Sequence, residues 1–378
     1  MKVLYLIKAG IMGGRERHVL TLARSLPKEV EACVCAVSAG ETTEAMAAAG
    51  LDVRVLGGRN GHDPRILPRF IRLLREFKPD VVHAHTGALI PYIVMRFFPK
   101  IALVQSVHGP SVSGAELAVL RKSFAWKIKS ILVRILERKP DYCLPVSQAT
   151  WDEFKIVNPD AKGEVFFNAL NLDDLAVARR LRGSRPTEWV SRPNPSARKR
   201  VVGMVGRMAD VKDWPLFSQI AQVVMNMHPD VEFWAVGADA GWAKSNGCIT
   251  RNVKWLGSRQ DARDLIAQMD VCLLTSKYEQ LPTTLLEAFA IGVPVVGVLP
   301  DGGTKEVLAL SDKMSALLHD NRDCERIAQD VVRVLGNASL RDEMIREGRK
   351  IVTEHFDMKK LCATQLTEIY NRIIKEKR

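Results

Sequence analysis

Two doubly wound α/β domains in series, each on a parallel sheet, are the fold class that this 378-residue sequence predicts. Three observations carry the prediction. Short β-branched apolar runs alternate with segments of helical period from the first residues onward. That texture breaks in a Pro-rich, basic stretch near residue 181. It then restarts with the same succession of strand, glycine turn and helix.

The first half opens with KVLYLI, a glycine turn GIMGG, and a helical RERHVLTLARSL. EACVCAV and LDVRVL follow as strands, then a helix around Ile66 to Phe77, then DVVHAH and ALVQSVHG. RGSRPTEWVSRPNPSARKR has three prolines, many charges and no period, so it reads as a linker or mobile loop. After it, RVVGMVGRM supplies a strand and turn, WPLFSQIAQVVMNM a helix, and VEFWAVG, VKWLG, DVCLLTS and VPVVGV further strands. The expected organisation is a first domain over 1–180, a linker over 181–200, a second domain over 201–355 and a C-terminal helix over 356–378. That last segment (Leu361, Leu366, Ile369, Tyr370, Ile373) exceeds what the second domain needs and is a candidate to cross back to the first. Two such domains are expected to face each other across a cleft, with ligands beyond the carboxyl ends of the strands.

Composition narrows the function classes. With 47% apolar residues, each half can bury a core. No uncharged apolar run reaches 18 residues, so no transmembrane helix is expected. The start, MKVLYLIKAG, carries Lys8 and no cleavage site, and reads as a strand rather than a signal peptide. Seven scattered cysteines point to reduced thiols in a cytoplasm. The net charge is +12, and it is unevenly spread. Residues 1–180 hold 26 Lys+Arg against 18 Asp+Glu, 181–200 hold 6 against 1, and the remainder 23 against 24. The first half is therefore expected to meet something anionic. Nucleic acid is the weaker candidate, because no reading motif accompanies the charge. An anionic membrane surface is the other.

The most informative stretch is EQLPTTLLE, Glu279 to Glu287. DVCLLTS before it is a continuous apolar run, as a strand buried on both faces should be. Glu279 then sits on the loop at that strand's carboxyl end. Pro282 suits the first turn of a helix, where its missing N–H costs nothing. Glu287 follows about one and a half turns later, leaning back toward the helix start. Both carboxylates can face one ligand seated there, and the free amides favour an anion such as phosphate. A carboxylate beside an anion makes sense if it accepts hydroxyl hydrogens, so the ligand should carry both phosphate and sugar hydroxyls. A helix-start acid and a solvated mid-helix acid are the bland alternative.

Glu279 to Glu287 resembles the E-x7-E motif of the retaining GT-B glycosyltransferases of family GT4. GMVGRMADVKD (203–213), EAFAIGVPVVG (287–297) and DGGTKEV (301–307) fit the same family in order and spacing. The resemblance implies a GT-B architecture. It implies that Glu279 touches the hydroxyls of the donor sugar and that Glu287 holds the nucleotide ribose, with Leu281, Pro282 and Thr283 between them on the donor. Arg207 and Lys212 lie on the loop after the restart strand, where the resemblance implies diphosphate binding. Fixed cations there would stabilise the charge that develops as the sugar leaves. No D-x-D occurs, since Asp173 and Asp174 are adjacent, so no metal clamp is expected and Arg207 and Lys212 would replace it. Backbone amides of Gly302, Gly303 and Thr304 could reach phosphate or sugar, or form a bare turn.

In the first half, Gly13 and Gly14 follow the first strand and open a helix, where glycine permits close approach of backbone to ligand. GGRERHV resembles the family's N-terminal glycine loop, near donor phosphates and acceptor. His108 follows a buried strand; it fits a hydrogen-bonded turn, and the resemblance implies a place beside the donor sugar near the acceptor. His83 and His85 form H-x-H, but no third metal ligand is evident, so packing or cleft lining is expected. Ser147 in LPVSQAT and Asn168 in FFNALN resemble the family's "VS" and "NG-x-D" segments, with Ser147 a candidate on the acceptor side. Ala169 and Asn171 depart from the second pattern. ELAVLRKSFAWKIKSILVRILERK (116–139) is a basic amphipathic stretch, with Trp126 among its apolar residues. It fits an anionic membrane surface or a core-facing helix with a solvated face equally well.

Together these readings describe a cytoplasmic glycosyltransferase, with its possible station the inner face of the membrane. It would take a hexose-type sugar from a UDP- or GDP-sugar, with retention and without cofactor or metal. The acceptor would be lipid-linked or a glycan in lipopolysaccharide, capsule or exopolysaccharide assembly. A nucleotide-sugar epimerase of the same fold and a noncatalytic sugar-nucleotide-binding subunit are the alternatives.

Overall fold

The computed structural model describes residues 1–10, 12–109, 139–183, 199–248, 251 and 253–378. Its contacts divide the chain into two compact units: Met1–Asn168 with Met358–Arg378, and Ala169–Asp357. The first is built on strands β1 (Lys2–Ile7), β2 (Glu31–Ala36), β3 (Asp52–Val55), β4 (Val81–Ala84), β5 (Ala102–Val107) and β6 (Tyr142–Pro145). They pair in the order β3-β2-β1-β4-β5-β6, all parallel. The second unit has β7 (Arg200–Val205), β8 (Val231–Val236), β9 (Val253–Trp255), β10 (Val271–Leu274), a short β11 (Tyr278–Glu279), β12 (Val295–Val298), a short β13 (Asp301–Gly302) and β14 (Ala316–His319). Its main sheet runs β14-β12-β10-β7-β8-β9, again parallel, while β11 pairs with β13 beside it.

Both units are thus Rossmann-like. Parallel pairing forces crossovers that cover both faces of a sheet, and the central strands answer with unbroken apolar runs. Val3, Leu4, Tyr5 and Leu6 of β1 are fully buried, as are the four residues of β10 within a few per cent. Each sheet reverses its winding once. In the first the reversal lies between β1 and β4, and in the second between β7 and β10. Loops leaving the carboxyl ends of those neighbouring strands diverge to opposite sides, which leaves room for a ligand there.

The division of the chain departs from the sequence reading at two places. The boundary expected at residue 180 falls inside the helix Ala176–Gly183, which packs with the second unit. Arg179 Nε donates to the Ala290 carbonyl at 3.0 Å, and Arg182 to the Met269 carbonyl at 2.6 Å. The passage between units lies at 168–169, where Leu170 bridges to Asp357 at the return passage. The sequence texture changes only after that helix, so composition marks the linker and not the unit boundary. Residues 184–198 of the expected linker, and 110–138 with nearly all of the basic amphipathic stretch, lie outside the described residues.

Residues 358–378 belong to the first unit. Tyr370, on the helix Thr367–Lys377, is fully buried and shares hydrogen bonds with His83 Nδ1 (2.6 Å) and the Tyr5 hydroxyl (3.4 Å). No helix among the described residues is long and apolar enough to cross a membrane. Tyr370→Phe keeps the ring and removes the hydroxyl, leaving two buried groups short of a partner. We expect urea unfolding to show a loss of about 1–3 kcal/mol. An unchanged midpoint would mean that these bonds contribute nothing to anchoring the tail.

Candidate active site

In the second unit the candidate residues gather at the winding reversal. Lys212 follows β7, and Glu279 follows β10, the strand beside it. The Lys212 turn (Asp210–Lys212) ends at Asp213, whose φ of +51° reverses the chain into the helix Trp214–Met227. That unusual backbone is held from several sides. Asp213 caps the helix by accepting the Leu216 N–H at 3.3 Å, and it pairs with Arg322. Arg322 also donates to the Thr275 carbonyl at 2.5 Å, and Thr275 Oγ1 donates to the Lys212 carbonyl at 2.8 Å. The Trp214 indole N–H donates to the Arg207 carbonyl at 3.0 Å. The loop backbone is therefore fixed, while the Arg207 side chain is exposed and has no partner among the described residues.

Glu279 is fixed from three directions. Its backbone lies in β11 against β13, where Gly302 has a φ of +104°. A Cβ on Gly302 would stand 2.1 Å from the Glu279 carbonyl oxygen, so only glycine permits this pairing. The same carbonyl accepts the Gly303 N–H at 2.9 Å. At the side chain, Oε1 accepts the Ser276 hydroxyl at 2.6 Å and the Lys212 ammonium. The two ionic side chains are only 15% and 13% exposed. The other oxygen, Oε2, has no partner among the described residues.

Leu281 and Pro282 are buried and lead into the helix Thr283–Ile291. Pro282 stands one place before the helix rather than inside its first turn, at φ −77° and ψ +91°. Proline at this capping position brings no side-chain acceptor, so no side chain caps the first-turn amides. Glu287, the fifth helical residue, accepts Arg263 Nε on Oε1 at 2.8 Å, again with Oε2 lacking a partner among the described residues. Thr304, fully buried beside the Gly302–Gly303 turn, has a hydroxyl with no partner among the described residues. The second unit thus presents an uncapped helix start, two anchored carboxylates each with one open acceptor, and two cations from the β7 loop. That set can bind a molecule carrying an anion and several hydroxyls.

The first unit repeats the device with different chemistry. Gly13 caps the helix Gly14–Arg24, which follows β1. A Cβ on Gly14 would meet nothing within 4 Å, so the fold itself does not require glycine there. His18 on this helix, His85 beyond β4 and His108 beyond β5 converge. His85 Nδ1 and His108 Nε2 lie 3.1 Å apart, and the His18 ring meets the His108 ring edge-on at 5.2 Å. His83 turns to other partners, Tyr370 and Ser106 Oγ (2.9 Å). Burial lowers the His18 pKa to about 4 and, with the His18 charge, that of His83 to about 3. It also lowers His85 and His108 well below the usual histidine value, helped by neighbouring histidines and Arg15. Burial thus favours the neutral form of all four rings.

The remaining segments have plain local explanations. Ser147 is fully buried and its Oγ accepts the Thr150 N–H at 3.1 Å, capping the helix Gln148–Val157. Asn171 caps the short turn Leu172–Leu175 through the Asp173 N–H. Sequence reasoning missed Arg263, Ser276, Arg322 and His18. Arg263 and Arg322 carry no local signature, because their partners lie 24 and 109 residues away and only the fold pairs them, whereas Ser276 stands three residues before Glu279 in a loop without a regular period. His18 lies inside GGRERHV, where no spacing sets it apart from its neighbours.

Two family models match adjoining parts of the chain: Glycosyltransferase Family 4 over residues 12–174 and Glycosyl transferases group 1 over 199–337. N-acetyl-alpha-D-glucosaminyl L-malate synthase of Bacillus anthracis is 24% identical over 79% of this chain and 76% of its own length. The UDP-Gal:alpha-D-GlcNAc-diphosphoundecaprenol alpha-1,3-galactosyltransferase of Escherichia coli is 24% identical over 62% of this chain, which spans 61% of that protein. Among solved structures, Anabaena Alr3699/HepE in complex with UDP and glucose superposes with a TM-score of 0.73. It has 19% identity, over 98% of this chain and 99% of that one, a likeness of fold. Crystal structures of WaaG and TarM, TM-scores 0.61 and 0.68, share the same GT-B architecture.

The Lys212–Glu279 contact lends itself to a double-mutant cycle. Lys212→Met and Glu279→Gln each strand a poorly hydrated partner, whereas the double variant strands neither. Urea unfolding of the four proteins should give a coupling of about 1–3 kcal/mol. Strictly additive losses would show that the two groups do not interact in solution.

Proposed function

We propose, for a chain that belongs to the group 1 and family 4 glycosyltransferases, that it moves a hexose-type sugar from a UDP- or GDP-sugar to a lipid-linked or glycan acceptor. The transfer retains the anomeric configuration and uses no metal on the diphosphate. The setting is the assembly of a cell-surface polysaccharide, such as lipopolysaccharide, capsule or exopolysaccharide, at the cytoplasmic side of the membrane. The names of relatives support this class of acceptor, since the Escherichia coli protein acts on a sugar carried by diphosphoundecaprenol. The UDP and glucose in the HepE crystal support the donor class.

One observation carries the reading. Glu279 and Glu287 are each immobilised through one carboxylate oxygen, with the other left without a partner among the described residues. An acid serving only stability has no need of that arrangement. An acid that must accept a hydroxyl hydrogen from a polyol does, and immobilisation beforehand lowers the entropy lost on binding. In this reading Glu287 takes the ribose and Glu279 the hydroxyls of the sugar, with Leu281, Pro282 and Thr283 beside the donor. The uncapped amides of the helix start meet the diphosphate, joined by Arg207 and Lys212.

The chemistry follows from the charges. The acceptor oxygen attacks the anomeric carbon on the face from which the diphosphate departs. The bond from that carbon to the phosphate oxygen breaks, its electron pair leaves with the phosphate, and the acceptor proton passes to the same phosphate. Negative charge grows on the leaving group, so Arg207 and Lys212 favour the transition state over the bound substrate. Glu279 holds the Lys212 ammonium in place beforehand, so little reorganisation is needed. Gly13, Gly14 and His108 of the first unit act on the sugar and acceptor side, with Ser147 holding a neighbouring helix start.

Thermal shift and calorimetry with UDP, GDP, ADP and TDP and their sugars, in the presence of a chelator, test the donor half. One nucleotide series should raise the melting temperature of the wild type by mass action. Glu287→Ala should weaken that binding about 10- to 100-fold, the worth of one or two charge-assisted hydrogen bonds. Arg207→Ala and Lys212→Ala should lower kcat about 10²- to 10³-fold once an acceptor is found. No shift with any nucleotide, or undiminished binding by Glu287→Ala, would defeat the assignment.

A further inference from the structure

Asp213 has a backbone that its place in the chain does not call for. Among the described residues, the non-glycine residues with positive φ are Ala9, Lys78 and Asp213. Lys78 ends a helix, where the left-handed conformation is ordinary. Asp213 starts one, at φ +51° and ψ +56°, whereas a residue capping a helix start is normally extended. Aspartate visits the left-handed region more readily than most residues, but glycine takes it at less cost. A non-glycine residue held there, next to a candidate phosphate ligand, points to a task for its side chain. Capping uses one carboxylate oxygen, Oδ1, which accepts the Leu216 N–H. The other, Oδ2, is the one that meets Arg322.

Arg322 lies on the loop after β14, and the two ionic side chains are 14% and 34% exposed. Its backbone is set by its neighbour Asp323, which caps the helix Cys324–Gly336 by accepting the Arg326 N–H at 3.2 Å. The same guanidinium donates to the Thr275 and Ser276 carbonyls, at 2.5 and 3.5 Å, just after β10. Ser276 in turn holds Glu279. Thr275 Oγ1 lies 2.8 Å from the Lys212 carbonyl oxygen and 3.2 Å from that of Asp213. One planar cation therefore joins the residue after Lys212 to the two residues that open the loop to Glu279. A guanidinium suits the task, because its donors are fixed in a plane and can serve several acceptors at once. A partly buried ion pair of this kind is a weak device for stability alone.

We propose that Arg322, acting through Asp213, is a positioning residue for the phosphate-binding end of the donor site. It clasps the Lys212 loop to the Glu279 loop, so that the Lys212 ammonium meets the terminal phosphate of a nucleoside diphosphate in one fixed register. This deepens the proposed function and rests on its assignment of the diphosphate to Lys212. Arg322 itself touches no phosphate in this assignment. A displacement of about 1 Å at a distance from the chemistry can cost about 10²-fold in rate, and a fixed cation acts only where it is aimed. The clasp explains why aspartate rather than glycine stands at 213. Glycine would relax the turn and leave Arg322 without its ionic partner.

The first test uses the full chain and needs no ligand. The Lys212–Glu279 coupling, measured by the double-mutant cycle in urea, should fall by more than half when the cycle is repeated in an Arg322→Met background. Asp213→Asn keeps the helix cap, tolerates the left-handed turn and removes the charge, and it should lower the coupling likewise. Asp213→Gly relaxes the turn, so it should lower the coupling while its melting temperature stays within about 5 °C of the wild type. The second test reads the phosphate, by calorimetry with UMP against UDP and GMP against GDP. In the series that binds, the preference for diphosphate over monophosphate should shrink about tenfold in Arg322→Met and in Asp213→Asn. Lys212→Met should shrink it at least as far, with Arg322→Met adding nothing in that background. A purely structural Arg322 would lower the melting temperature and leave that preference alone. An unchanged Lys212–Glu279 coupling, or a diphosphate preference that survives Arg322→Met, would overturn the proposal. If the wild type binds none of the four nucleotides, the donor reading falls instead, and the urea cycle alone decides the clasp.

Discussion

A parallel sheet covered on both faces admits polar side chains along its strands only where they are hydrogen-bonded, as His83 and Ser106 are. Two six-stranded sheets of this kind, each with its core strands buried from end to end, make up this protein. Polar chemistry is thereby driven to the strand ends. Among those ends, the pair at each winding reversal is where loops part and leave space. The Lys212–Glu279 ion pair sits at that point in the second unit, and the His85 ring lies at the matching point in the first. The location of both clusters is a consequence of how parallel strands must be connected.

In the second unit the charges are arranged before any ligand arrives. Lys212 and Glu279 neutralise each other in a poorly hydrated setting, and Ser276 adds a hydrogen bond to the same carboxylate oxygen. Glu287 and Arg263 repeat the pattern one helix turn away from the uncapped helix start. Burying an ion pair is costly unless its geometry is well satisfied, so such pairs are poor devices for stability alone. As a means of holding acceptor oxygens and a cation in register they are effective, because binding of the proposed donor would then require little reordering of long side chains. Gly302 belongs to this arrangement as much as the acids do, since its φ of +104° allows the short β11–β13 pairing that fixes the Glu279 backbone.

The first unit answers the same topology with neutral groups. Burial favours the neutral form of its histidines; His83 is held by Tyr370 and Ser106, and His85 pairs with His108. In the proposed transfer, fixed charge would serve a leaving diphosphate, while neutral imidazoles would meet hydroxyls without competing for that anion.

Much of this was legible in the sequence. Continuous apolar runs such as VCLL and KVLYLI announced strands buried on both faces, and their alternation with helical periods announced parallel connection, because these patterns are local. EQLPTTLLE likewise gave both acids and the helix start, since a loop, a proline and one and a half helical turns lie within nine residues. The tertiary structure alone decided which groups hold them. Arg263 reaches Glu287, Arg322 reaches Asp213, and His18, His85 and His108 meet, across separations that carry no periodic or spacing signal. It also moved the unit boundary back to residue 169, because the helix Ala176–Gly183 is assigned by what it packs against and not by its own composition. Sequence determines local geometry through backbone preference and burial pattern, whereas the pairing of distant polar groups depends on where the strand ends are brought together.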